Sequence, residues 1–205
     1  MKKLMHNVLL LATRNQGKKK EMQQILKGLL LDIINLEDIE LLPEIIEDGT
    51  SFAENAIKKA KQTAALSGYI CLADDSGLEV DALNGNPGIY SARFAGEDAD
   101  DNKNNKKLLY MLKEVEMEKR TARFVCAVAI SDPSGNYRVV SGKCEGRIGL
   151  QLEGTGGFGY DPLFIPLGSD KSFAQLTAEE KNSISHRAHA LQKAREIIDE
   201  FFIKV

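Results

Sequence analysis

The chain has 205 residues, 43% apolar and 28% charged, with a formal net charge of -3, a composition ordinary for a globular protein with room for a sizeable core. No long basic run appears, which argues against duplex nucleic acid or an anionic membrane surface as a partner, so any anion must be bound by a local site. Cys71, Cys126 and Cys144 stand far apart with no Cys-x-x-Cys pair, which suits reduced thiols in a cytoplasmic protein and argues against zinc held by sulfur.

Val8 to Ala12 reads as a buried strand, too short for a signal-peptide core or a membrane span. The turn Thr13-Arg14-Asn15-Gln16-Gly17 follows, then Met22, Ile25, Leu26, Leu29 and Leu30 at helical spacing. Asp32 to Leu42 alternates weakly, and Pro43 to Gly49 is a loop ahead of a helix opened by the capping-box pattern Ser51-Phe52-Ala53-Glu54. The apolar run Tyr69 to Ala73 reads as a strand buried on both faces and ending in Asp74-Asp75-Ser76-Gly77. Leu78 to Val80 is a second short strand, Leu83 to Phe94 an irregular loop, and Asp100 to Val115 a helix. Thr121 to Ile130 and Tyr137 to Gly149 form a hairpin about a type I turn at Asp132-Pro133-Ser134-Gly135. The glycine-rich stretch 154 to 159 precedes a short strand at Leu163 to Ile165. Thr177 caps one final helical region in which Ile184, Ala188, Leu191, Ile198 and Phe201 mark the core side. These elements predict a single α/β domain with a mixed sheet and flanking helices, divided into two lobes around a cleft.

Two adjacent carboxylates at the end of a buried strand lose several kcal/mol each if they leave water without partners. Asp74 and Asp75 must face a cation, sit in a solvated cleft or cap an element; the other reading is a turn that satisfies its own backbone. Thr13 to Lys18, without P-loop spacing, is either a solvated turn before a Lys-rich helix start or a phosphate cradle, since three cations at a helix N-terminus oppose its dipole unless an anionic ligand relieves the conflict. Glu47 and Asp48 either form a plain acidic loop or add carboxylates to a magnesium site, an ion that takes one or two of them plus water and phosphate oxygens. The 154 to 159 loop is either a flexible connection or backbone that approaches a ligand closely, with Phe158 or Tyr160 stacking on a planar ring. Lys181, His186 and Arg187 either supply phosphate and base contacts or line an exposed helix face.

Thr13 to Lys18, Asp74 to Gly77, Pro87 to Arg93, Gly156 to Pro162 and Ser185-His186-Arg187 together, in this order and nearly end to end, resemble the inosine triphosphate pyrophosphatase family, the XTP/dITP diphosphatases. The resemblance implies Mg²⁺-dependent hydrolysis of ITP, dITP and XTP to monophosphate and pyrophosphate by an elongated, curved-sheet homodimer in the cytoplasm. It assigns Asp75 as general base and metal ligand, Glu47 as the second metal ligand, and Thr13, Arg14, Asn15, Gln16, Gly17 and Lys18 as the triphosphate cradle. Ser76, Phe158, Gly159, Tyr160, Asp161, Lys181, His186 and Arg187 complete its nucleotide site. Arg14 stands where a small residue is common. A nucleotide sensor without turnover and a pyrophosphatase for another modified triphosphate are the alternatives.

Overall fold

The computed structural model describes residues 7–39, 42–98 and 100–202. β1 (Val8–Leu11) is followed by α1 (Gln16–Ile25), whose N-cap Asn15 accepts from the Lys18 amide at 3.0 Å. β2 (Asp32–Asn35) runs parallel to β1 in the register Val8 to Asp32 through Leu11 to Asn35. Of the weakly alternating segment, Glu40 and Leu41 lie outside the described residues. α2 (Phe52–Ser67) is capped by Ser51, which accepts from the Glu54 amide at 3.2 Å. Glu54 turns instead to the Thr50 amide and hydroxyl, so only half of the expected capping box forms. Gly68, at φ 75°, closes the helix in the left-handed conformation that favours glycine.

β3 (Ile70–Val80) corrects the sequence reading. The strand does not stop at Ala73; Asp74, Asp75, Ser76 and Gly77 continue it into the Leu78 to Val80 segment. A 3₁₀ run over Gly88–Arg93 lies within the expected irregular loop, and α3 (Asp101–Met111) ends before the expected Val115. β4 (Thr121–Ser131) and β5 (Tyr137–Ile148) flank the expected turn, where Asp132 Oδ1 accepts from the Ser134 and Asn136 amides at 2.9 and 3.1 Å. β6 (Phe164–Pro166) pairs antiparallel with β5, and the mixed six-stranded sheet has the order β2-β1-β3-β4-β5-β6. The final helical region is two helices, α4 (Ala178–Ile184) and α5 (His186–Ile198), separated by Ser185 in an extended conformation. Ile184, expected on the core side, is exposed because its helix ends there.

The chain forms two compact units. The first takes the chain up to Asp75, then Cys126–Gly142 and everything from Arg187; the second takes Ser76–Val125 and Lys143–His186. In the first unit Leu9, Leu11, Leu72, Cys126, Val128 and Ile130 pack with Met22, Leu26 and the α5 residues Leu191 and Ile198. In the second, Leu78, Val80, Ala122, Phe124, Leu108 and Leu112 pack with Tyr160, Phe164 and Phe173. The alternating stripe of β4 therefore divides, with Ala122 and Phe124 in one core and Cys126, Val128 and Ile130 in the other. Each large apolar side chain removed from water contributes about 1.5–3 kcal/mol, so both cores are anchored by residues flanking the acidic pair on β3.

Candidate active site

In the first unit, alternation along β3 sends the two aspartates to different surroundings. Asp74 is fully buried. Its Oδ2 lies 3.2 Å from Lys18 Nζ, 3.3 Å from Arg187 Nε and 3.9 Å from Cys126 Sγ. Arg187 also pairs with Glu21 of α1. Burial opposes the Asp74 charge, but Lys18, Arg187 and Lys59 outweigh it and hold the carboxyl well below the usual carboxylate range. Asp75 Oδ2 accepts from Asn55 Nδ2 at 3.0 Å. Burial, reinforced by Glu47, lifts the Asp75 carboxyl above its ordinary value despite Lys18, Asn55 and Lys59. The two neighbours thus differ: Asp74 is held as an anion by cations, while burial works against the charge on Asp75.

Glu47 and Asp48 each meet a lysine of α2: Lys59 Nζ lies 2.8 Å from Glu47 Oε1, and Lys58 Nζ 2.5 Å from Asp48 Oδ1. Asn55 Oδ1 accepts from the Gly49 amide at 2.7 Å, so one amide ties the acidic loop to Asp75. A Cβ on Gly49 would come within 2.7 Å of that same Oδ1. Among the described residues no group of three or more His, Cys, Asp or Glu side chains could hold a metal ion. Glu47 and Asp75 nevertheless both offer hard carboxylate oxygens, the donor type that suits an ion that keeps water and takes phosphate oxygens to complete its shell. In the phosphate segment Thr13 is buried. Arg14 is exposed, with its guanidinium donating to the Leu42 carbonyl at 2.9 Å. Lys19 pairs with Glu37 at 3.0 Å, which leaves Lys18 as the cation of the triplet turned to the aspartates.

In the second unit the Phe158 to Asp161 loop is built around a carboxylate. Asp161 Oδ2 accepts from the Phe158 amide at 2.9 Å and lies 2.5 Å from Lys181 Nζ. The Lys181 ammonium sits 5.0 Å from the Phe158 ring centre and 5.4 Å from that of Phe173. His186 stacks on Phe124 at 4.6 Å and 11°. Lys181 and His186 are both buried, which corrects the exposed-face reading. The chain passes between the units at Asp75 to Ser76 and again at His186 to Arg187, so neighbouring motif residues serve different units.

Three further expectations gain detail. Packing within the loop already calls for glycine at two of its positions. A Cβ on Gly157 would fall 2.0 Å from Asp161 Oδ2, and one on Gly154 2.5 Å from the Ala174 backbone. Tyr160, expected as a stacking ring, is buried in the core with its hydroxyl donating to the Ser91 carbonyl at 2.8 Å. Arg187, expected on the nucleotide, is buried and committed to Asp74 and Glu21. Asn55, Lys59 and Glu21 were missed by sequence reasoning. Asn55 and Lys59 stand four apart beside the alanine stripe of α2, a polar pair on one helix face that could have been noticed.

An α/β sheet carrying a buried carboxylate pair beside Lys18, Lys59 and Arg187 has the concentrated, compensated charge of an enzyme site. The sequence profile of the Ham1 family matches residues 9–197, and the chain belongs to that family. A protein of Desulforamulus reducens named dITP/XTP pyrophosphatase is 52% identical over 195 residues, covering 95% of this chain and 97% of the relative. A Bacillus subtilis protein of the same name is 48% identical over 190 residues, covering 93% and 96%. The Ham1 protein of Staphylococcus aureus superposes with a TM-score of 0.84 at 39% identity, covering 95% of this chain and 99% of that one. A HAM1 protein from Coxiella burnetii gives 0.85 at 37% identity, with the same coverage. No helix among the described residues is long and apolar enough to cross a membrane.

Proposed function

We propose that this chain hydrolyses the non-standard purine nucleoside triphosphates ITP, dITP and XTP to the nucleoside monophosphate and pyrophosphate, its two units acting as one pyrophosphatase domain. The observation that carries the reading is the division of labour on β3. Asp74 is locked between Lys18 and Arg187, while the adjacent Asp75 is turned to another set of neighbours and accepts from Asn55. Relatives named for dITP and XTP, about half identical over nearly the whole chain, supply the substrate class.

Cleavage between the α and β phosphates needs cations on the leaving pyrophosphate and a base for the attacking water. Lys18 and Lys59 provide the positive charge, with the Thr13 to Lys18 segment as cradle. Asp75 orients the water and receives its proton. Asp74, ionised across the working pH range, keeps Lys18 in place rather than taking part in proton transfer. Glu47 and Asp75 would hold Mg²⁺, which when bound supplies Lewis acidity and lowers the pKa of water. On the base side Phe158 offers the stacking face, and Ser76, Lys181 and His186 offer polar groups for a 6-oxo purine. A donor placed for the 6-oxo group disfavours adenine, whose 6-amino group leaves that donor without an acceptor. A cytoplasmic homodimer completes the proposal, and sedimentation at low micromolar concentration tests the dimer. Product analysis tests the reaction: ITP must give IMP and pyrophosphate, whereas IDP and orthophosphate would show cleavage at the wrong bond.

A further inference from the structure

Two side chains one turn apart on α3 grip the same residue of the glycine-rich loop. Asp101 Oδ2 accepts from the Gly159 amide at 2.7 Å, and Asn105 Nδ2 donates to the Gly159 carbonyl at 2.9 Å. Between them Asn104 accepts from the Ala95 amide at 2.7 Å and donates to the Ala92 carbonyl at 2.8 Å, so this face of the helix holds two loops of the second unit. Gly159 has φ 62° and nothing within 4 Å of where a Cβ would stand, so its conformation is held by these hydrogen bonds and not by crowding. Asn105 is 3% exposed, yet its Oδ1 has no hydrogen-bond partner among the described residues. A buried carbonyl in that state is tolerated where the other end of the amide has a geometry to keep.

We infer that Asp101 and Asn105 are positioning residues for base recognition. By taking both polar groups of Gly159 they fix Phe158 on one side and Tyr160-Asp161 on the other, and with Asp161 the ammonium of Lys181. They do this without touching the base. The inference rests on the reading above, in which Phe158 meets the purine.

The test uses the full chain. Asn105→Leu removes the donor and the partnerless carbonyl together at similar volume, and Asp101→Asn keeps an acceptor for the Gly159 amide. In Asn105→Leu we expect KM for ITP to rise about tenfold with kcat within about twofold, since binding shared by ground and transition states is lost. The Kd of IMP by titration calorimetry should rise in parallel, while inorganic tripolyphosphate, which has no base, binds as in the parent. Asp101→Asn should stay within about twofold of the parent on every measure, and Asp101→Ala should follow Asn105→Leu. An unchanged IMP Kd in Asn105→Leu, or equal weakening of IMP and tripolyphosphate, overturns the inference. Phe158→Ala separates the two levels. If it leaves IMP binding intact, the base-site reading fails; if it weakens IMP while Asn105→Leu does not, only the positioning role fails. Should Asn105→Leu not fold, Asp101→Ala carries the same comparison.

Discussion

Asp161→Ala is the sharpest structural perturbation in the second unit. The Asp161 and Lys181 side chains are only 3% and 7% exposed, and the carboxylate also accepts from the Phe158 amide. Removing one partner of a buried ion pair costs about 3–5 kcal/mol, because the remaining charge keeps its desolvation penalty. Loss of the Phe158 hydrogen bond adds about 1 kcal/mol. In a chain of this size 1 kcal/mol moves the midpoint by about 2–4 °C, so Asp161→Ala should lower it by roughly 10–20 °C. Thermal unfolding followed by circular dichroism measures this. Adding Lys181→Met removes the stranded ammonium and should recover at least half of the loss. A fall of less than about 2 °C in the single variant, or a double variant as unstable as the sum of the singles, refutes the pair as the loop's anchor.

Gly157→Ala should destabilise comparably, since the new Cβ meets Asp161 Oδ2 at 2.0 Å on a backbone with φ 72°; a midpoint within about 1 °C of the parent contradicts this. Burial and neighbouring acids push the Cys126 thiol up to about 12 and Cys144 up to about 11, and burial raises Cys71 as well. A chromogenic disulfide reagent at about pH 8 should therefore modify none of the three until denaturant is added, and any stoichiometric labelling of native protein goes against this. The hydrogen bond from Thr121, with Arg123 beside it, lowers the Asp81 carboxyl. Its contribution is present above the unfolded value near 3.9 and is lost as pH falls through the lower folded value. Asp81→Asn should then cost at most about 1 kcal/mol at neutral pH, because the group is partly exposed, and nothing in strong acid. A pH-independent cost excludes the titration as its source.

The local elements were legible because their signals are local. Ser51 and Thr177 cap the helices they were expected to open, and the Asp132 turn closes the hairpin. The acidic pair was visible as charge at the end of an apolar run, but its place in mid-strand was not. Gly77 read as a terminator, whereas its backbone continues the strand, and the cations that make Asp74 tolerable come from Lys18 and Arg187, far away in sequence. The place of Tyr160 in the core and the packing role of Gly154 and Gly157 were not legible for the same reason. Their partners Ser91, Ala174 and Asp161 are set by packing, and neither composition nor spacing encodes which backbone a glycine must press against. The break at Ser185 escaped notice because the apolar spacing runs on across it.

The central claim is that Asp75 drives cleavage of oxo-purine triphosphates. It is tested most directly by the rate of pyrophosphate release from ITP, XTP, dGTP and ATP, with and without Mg²⁺, in the parent and in Asp75→Asn. ITP and XTP should turn over rapidly with the ion present, ATP hardly at all, and Asp75→Asn should lose about 10²–10⁴-fold while keeping its fold. Equal rates on ITP and ATP, or an Asp75→Asn variant as active as the parent, would contradict the account.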